Sequence, residues 1–192
     1  MAVCQNILKI WKPFSIVSSF PLATEYGNKF IDVHHSEYNV ISKLVFFYIS
    51  TDKGLLSLNW NKENDKISVD HFFPSEEEVT KILVNEKNLL GCTRKGIKVW
   101  DLNSKSFSFL FDFPFEHNVT VFKIIELNEK PYIWVTFENN ILILQFFQNN
   151  SFKVVHKLST DYKLLDLIAL NNEEIVVSFS NEEILLLSVK NL

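Results

Sequence analysis

The feature that most limits what this chain can become is a short alternation of apolar residues behind a turn-prone position, which returns about every 43 residues. With Gly96-Ile97-Lys98-Val99-Trp100-Asp101-Leu102 as the template, the same pattern recurs three times. The copies are Gly54-Leu55-Leu56-Ser57-Leu58-Asn59-Trp60, Asn140-Ile141-Leu142-Ile143-Leu144-Gln145-Phe146 and Glu183-Ile184-Leu185-Leu186-Leu187-Ser188-Val189. From Leu55 to Ile97, Ile141 and Ile184 the steps are 42, 44 and 43 residues. A further copy, Leu8-Lys9-Ile10-Trp11-Lys12, stands 47 residues before Leu55. Unrelated strands do not keep such a spacing, so the chain is read as a tandem repeat.

Each copy follows another apolar run: Leu44 to Ile49, Asn88 to Cys92, Tyr132 to Phe137 and Glu174 to Phe179. The segments between them, such as Thr51-Asp52-Lys53-Gly54 and Thr93-Arg94-Lys95-Gly96, have hairpin length and turn-forming residues, so each pair of runs is predicted to be antiparallel. Upstream lies a third run in every unit (Phe30 to Val33, Val79 to Val84, Val119 to Leu127, Leu164 to Leu170). Between units lies a fourth (Phe14 to Phe20, Ile67 to Phe73, Phe107 to Phe113, Phe152 to Leu158). Three fourth runs close on Phe-Pro, at Pro21, Pro74 and Pro114, which suits the exit of an outer strand because proline brings no N–H to a ladder. Eighteen Phe against four Gly add to the strand bias. No segment keeps an apolar period of 3.6, and Ser75-Glu76-Glu77-Glu78-Val79 is at most one helical turn. Four strands per period is the strand count of a propeller blade. The expectation is an all-β chain, residues 1–192 forming one propeller domain or propeller portion of about four antiparallel four-stranded blades, with repeats ending near residues 60, 102, 146 and 189.

The unit from Val79 to Leu102, down to its terminal Trp100-Asp101, resembles a WD40 repeat; the other units are degenerate versions of it. In that family a blade is often pinned by hydrogen bonds among a His, a Ser or Thr, an Asp in a tight turn, and the Trp. The resemblance assigns Thr93, Trp100 and Asp101 as structural blade positions, with Arg94 standing where the Asp belongs. Asp52 occupies that turn site one blade earlier, where Leu58 replaces the Trp. Propellers of this kind usually close with about seven blades and have at least about four. The chain is expected to open on a third strand at Leu8 to Trp11 and to form an open arc or a small ring; the exposed apolar faces of an open arc call for another propeller portion, supplied by a partner or by a longer parent protein.

A net charge of −4, with Arg94 the single arginine, offers no basic footprint for phosphates, so nucleic acid is not expected as a ligand. Cys4 and Cys92 are too few for a disulfide framework. The opening residues carry no basic leader pattern, and no apolar run nears the roughly 20 residues of a membrane span. A cytoplasmic or nuclear protein, neither secreted nor membrane-inserted, is expected, and the sequons at Asn118 and Asn149 are read as chance. His34-His35 point opposite ways in a strand and do not converge on a metal, while His71, His117 and His156 fall at the blade rim. There is no nucleophile elbow and no phosphate-cradling glycine loop. The reading is a non-catalytic, cofactor-free protein-interaction scaffold within a larger complex. Its partner-facing loop is Ser75, Glu76, Glu77 and Glu78. The alternative is a propeller enzyme or small-ligand binder at a central channel mouth, using Asp32, Thr80, Thr120 and Asp166.

Overall fold

The computed structural model describes residues 2–4, 7–12, 15–39, 44–85, 87–115, 119–127, 130–147, 151–171 and 173–188. Phe14, His117, Asn118, Asn149, Asn150 and Val189, each part of an expected strand, rim or sequon, lie outside the described residues. Those described form strands and turns without a helix, so none is long and apolar enough to cross a membrane.

Eighteen strands make five antiparallel sheets, in each of which neighbours in sequence are neighbours in space. The first sheet holds β1 (Ala2–Cys4), β2 (Ile7–Lys12) and β3 (Ser15–Pro21). The second holds β4 (Phe30–Asn39), β5 (Leu44–Thr51), β6 (Gly54–Asn61) and β7 (Lys66–Pro74). The third holds β8 (Lys81–Asn85), β9 (Asn88–Thr93), β10 (Gly96–Asp101) and β11 (Ser106–Asp112). The fourth holds β12 (Val119–Leu127), β13 (Lys130–Phe137), β14 (Asn140–Phe147) and β15 (Ser151–Ser159). The fifth holds β16 (Leu164–Ala169), β17 (Glu174–Phe179) and β18 (Ile184–Ser188). One expectation is corrected: Leu8 to Trp11 is not the first strand, because β1 pairs with it as Ala2 opposite Lys9 and Cys4 opposite Ile7. Three residues are too few to show a period of two, and only the pairing defines them as a strand.

The chain divides into two compact units, Met1–Thr93 with Lys98–Phe107, and Arg94–Ile97 with Ser108–Leu192. In the first unit the alternation of β5 sends Val45, Phe47 and Ile49 into one core with Leu8, Phe30 and Trp60. Tyr48 points the other way, into a second core with Phe73, Val79, Ile82 and Trp100. A strand covered on both faces must be apolar throughout, which is why Leu44–Thr51 reads LVFFYIST. In the second unit Val121, Ile125, Trp134 and Ile143 of the fourth sheet share a core with Leu167, Ile175 and Val177 of the fifth. The phenylalanines are used in a ladder: Phe111 packs on Phe113 and Phe152, and Phe113 and Phe115 both pack on Phe137, with ring centroids 5.1–6.2 Å apart. Such pairs contribute about 0.5–1.5 kcal/mol each beyond their burial.

Two irregularities recur with the repeat. A bulge interrupts the innermost pairing between Phe30 and Asp32, between Val119 and Val121, and between Leu164 and Asp166. Another interrupts the outermost pairing at Ile10/Trp11, Ser57/Leu58 and Ile143/Leu144. The hairpin ahead of the template strand closes on Gly54 and Gly96, both at φ +147. A Cβ there would stand 2.2 Å from the Phe73 carbonyl oxygen and 2.0 Å from that of Phe111, so only glycine fits.

Candidate functional site

At two of the innermost bulges a backbone N–H loses its ladder partner, and the facing strand supplies a hydroxyl to take it. The Ser50 hydroxyl accepts from Asp32 N at 2.9 Å, and the Thr136 hydroxyl accepts from Val121 N at 3.0 Å. In the fifth sheet Ser178, opposite Asp166, donates to its carbonyl at 3.3 Å. Cys92 holds the same register place opposite Lys81, where Thr80 instead donates to the Cys92 carbonyl from both N and Oγ1. The Cys92 thiol is fully buried, and burial pushes its pKa well up, which leaves it a packed apolar group rather than a nucleophile.

The polar residues of the innermost strands bond among themselves. Asp32 accepts from Ile82 N at 3.0 Å and lies 3.9 Å from Lys81 Nζ, while Lys123 pairs with Asp166 and donates to the Leu167 carbonyl at 3.0 Å. These bonds tie one blade's first strand to the next. Thr80 is spent on the Cys92 carbonyl, and Thr120 sits at the bulge of the fourth sheet. Asp32 and Thr80 belong to the first unit, Thr120 and Asp166 to the second. Among the described residues no three His, Cys, Asp or Glu side chains are grouped to hold a metal ion.

The remaining blade positions have separate roles. Thr93 and Trp100 are both 2 % exposed, and the indole packs between Phe73 and Phe107 at 6.4 and 6.2 Å. Asp101 stands after it in the turn to β11, where its Oδ1 accepts from Ser104 N at 2.7 Å and from Ser104 Oγ at 3.1 Å; the backbone bond from Ser104 holds its carboxyl below the usual range. Asp52 accepts from Asn28 N at 2.7 Å, from Asn28 Nδ2 at 3.0 Å and from Lys29 N at 3.4 Å. Burial pushes the Asp52 carboxyl up, but the Asn28 and Lys29 bonds outweigh it and hold the pKa below the ordinary value. Asp52 thus fixes the loop that enters β4, helped by Thr51 Oγ1 on the Tyr26 carbonyl at 2.6 Å and Lys53 Nζ on the Thr24 carbonyl at 2.7 Å. Arg94 takes the same turn site one blade on and contributes its carbonyl, which accepts from Phe115 N.

The Ser75–Glu78 segment is an ordered loop. Ser75 Oγ donates to the Glu77 carbonyl at 2.7 Å and accepts from Lys98 Nζ at 3.0 Å; Lys29 pairs with Glu78 at 3.0 Å; Glu76 is exposed.

Exposed apolar faces were expected of an open arc, and among the described residues the fifth sheet carries one. In β17 Ile175, Val177 and Phe179 are buried, and Leu187 packs with them from β18. The alternate residues form a row on the opposite face, Ile168 beside Val176 beside Leu186, with Ile184 two places along. Ile168, Leu186 and Ile184 are 61, 59 and 71 % exposed. Leu165 and Leu170 of the same sheet region are also exposed. In the template register β18 matches β6, whose Leu55, Leu56 and Leu58 are fully buried.

No protein-family model and no curated protein matches the chain. Solved structures do. BBS1N in complex with ARL6DN superposes with a TM-score of 0.69 at 10% identity, over 97% of this chain and 59% of that one. The WD40 β-propeller domain of Doa1 superposes with a TM-score of 0.67 at 18% identity, over 97% of this chain and 58% of that one. The chain spans less than two thirds of either structure. With its repeated antiparallel sheets and these likenesses, the fold of the chain is that of WD40-like β-propeller blades.

Proposed function

We propose that the chain is a non-catalytic protein-interaction scaffold, a WD40-like subunit of a larger assembly in the cytoplasm or nucleus. The observation that carries this reading is the apolar outer face of the fifth sheet, where Ile168, Leu186 and Ile184 lie open. Covering such side chains is worth about 25 cal/mol per Å² of apolar area removed from water. A folded partner placed there, such as the adjoining part of a propeller, supplies that cover. The blades act as stiff spacers, and the Ser75–Glu78 loop, pinned by Lys98 and Lys29, offers Glu76 as a second, polar contact. The scaffold reading also draws support from Asp32 and Asp166, whose charges are taken up by Lys81 and Lys123. BBS1N, with the same blade fold, has a structure in complex with ARL6DN.

The test is to recover the tagged chain from native extract under gentle conditions and weigh it by native mass spectrometry. A stoichiometric assembly with another protein is expected. A lone, stable 22.5 kDa monomer carrying a metal ion or metabolite contradicts the reading.

A further inference from the structure

Lys98 stands at a place that the repeat otherwise fills with leucine. In the template register it matches Leu56 and Leu142, both fully buried, and Leu185. A lysine stem can lie along apolar surface, but its ammonium must reach a polar partner. Lys98 is half-buried, and its Nζ donates at 3.0 Å to Ser75 Oγ, a neutral hydroxyl, and not to one of the three carboxylates that follow that serine. Glu78, at the far end of the acidic run, is held by Lys29 at 3.0 Å. The Lys98 cation is thus aimed at an oxygen that carries no charge of its own.

Ser75 lies in residues 75–80, a stretch outside any strand, between the exposed Pro74 and Glu76. Its N–H bonds the Lys53 carbonyl at 2.9 Å, and its Oγ donates to the Glu77 carbonyl at 2.7 Å. Thr160, after β15, holds the same place in its own loop: its N–H bonds the Asn139 carbonyl, and its Oγ1 donates to the Tyr162 carbonyl at 2.7 Å. The turn is shared, so what sets Ser75 apart is chemical. Ser75 precedes Glu76, Glu77 and Glu78, whereas Thr160 precedes Asp161, Tyr162 and Lys163. Three carboxylates behind a hydroxyl are complementary to a protein kinase whose substrate groove is basic. A phosphate on that hydroxyl adds a charge of about −1.5 to −2 among the acids, which is unfavourable unless a cation meets it. Lys98 already stands 3.0 Å from the oxygen to be modified.

We propose that Ser75 is the phosphoacceptor for an acid-directed protein kinase and that Lys98 is the built-in receptor for the phosphate. In the transfer Ser75 Oγ bonds to the γ-phosphorus of ATP as the bond from that phosphorus to the β-phosphate oxygen breaks; ADP leaves, and the hydroxyl proton passes to the base of the kinase. The neutral contact from Lys98 Nζ is then replaced by a charge-assisted bond to phosphate oxygens, which fixes the loop more firmly. Acceptor and receptor rest on the geometry of this loop and stand apart from the scaffold reading.

The test is to incubate the full chain with an acid-directed serine/threonine kinase and ATP and to map the product by tandem mass spectrometry. Phosphate is expected on Ser75 and not on Thr160, and Glu76→Lys with Glu78→Lys is expected to slow incorporation at least about tenfold. The phosphorus resonance of the product, followed against pH, reads the second ionisation of the phosphoserine. An ammonium alongside favours the dianion, so Lys98→Leu, which installs the residue the repeat uses at this place, is expected to raise that pKa by at least about 0.5, while Lys98→Arg keeps it near the value of the parent chain. Incorporation that spares Ser75, or that runs as fast with the two introduced lysines, overturns the acceptor. A phosphoserine that titrates alike in the parent chain and in Lys98→Leu overturns the receptor.

Discussion

β6 and β18 are the same strand of the repeat in two blades, and they live in opposite environments. Leu55, Leu56 and Leu58 of β6 are fully buried between two cores, whereas Ile184 and Leu186 of β18 are more than half exposed. Both strands are written in the same aliphatic alphabet, so local propensity does not account for the difference. β6 has a strand on each side and a core on each face. Among the described residues β18 has a strand on one side and a core on one face. The repeat therefore prescribes burial at every template strand, and the fifth sheet is where that prescription goes unmet, which makes it the candidate interaction site.

Substitutions at matched positions can break this contrast. The largest effect is expected for Leu58→Ala, which opens a cavity at a fully buried site and should lower unfolding stability by about 2–5 kcal/mol in urea titration, while Leu186→Ala in the isolated chain should stay within about 0.5 kcal/mol. Equal costs would strip the burial difference of energetic meaning. Next comes Gly54→Ala. The φ of +147 and the Phe73 carbonyl at 2.2 Å predict a loss of about 1–3 kcal/mol, against almost none for Glu183→Ala at the same template place. The third is Asp52→Asn, with an expected cost of about 1 kcal/mol at pH 7. Because the folded pKa of Asp52 lies below its unfolded value, its stabilisation is complete above the unfolded pKa and is lost as pH falls through the folded one. The gap between Asp52→Asn and the parent chain should therefore shrink once the pH drops below about 3.9 in pH-dependent unfolding. The fifth-blade turn offers the neutral counterpart: Asn181 accepts from Glu183 N at 3.3 Å, so Asn181→Ala should cost about 0.5 kcal/mol or less, independent of pH.

The repeat spacing and the hairpins were legible because alternation is a local signal, and the template runs Gly54–Trp60 and Gly96–Leu102 coincide with β6 and β10 to within a residue. Strand β1 was not legible: Ala2–Cys4 acquires its identity from pairing with β2. The bulges beyond Phe30, Val119 and Leu164 were equally silent, since a bulge changes register without changing composition. That hid the common task of Ser50 and Thr136, whose hydroxyls accept a backbone N–H at the bulge, and the matching place of Ser178, which donates to the Asp166 carbonyl instead. Asp32 and Asp166 were read in sequence as candidates at a channel mouth; their lysine partners come from the neighbouring blade, 49 and 43 residues away, and distance along the chain concealed them. Exposed apolar faces were expected of an open arc, but not which strand would carry one. Ile184-Leu185-Leu186 reads like any core strand, and only its surroundings distinguish it.

The most direct measurement is hydrogen exchange at the amides of Ile184–Ser188, made on the isolated chain and on the assembly recovered from native extract, with Gly54–Asn61 as internal reference. The account predicts that β18 exchanges far faster than β6 in the isolated chain and becomes protected at least about tenfold in the assembly, where a partner covers the fifth sheet. Exchange in β18 that matches β6 in the isolated chain, or that is unchanged in the assembly, contradicts it.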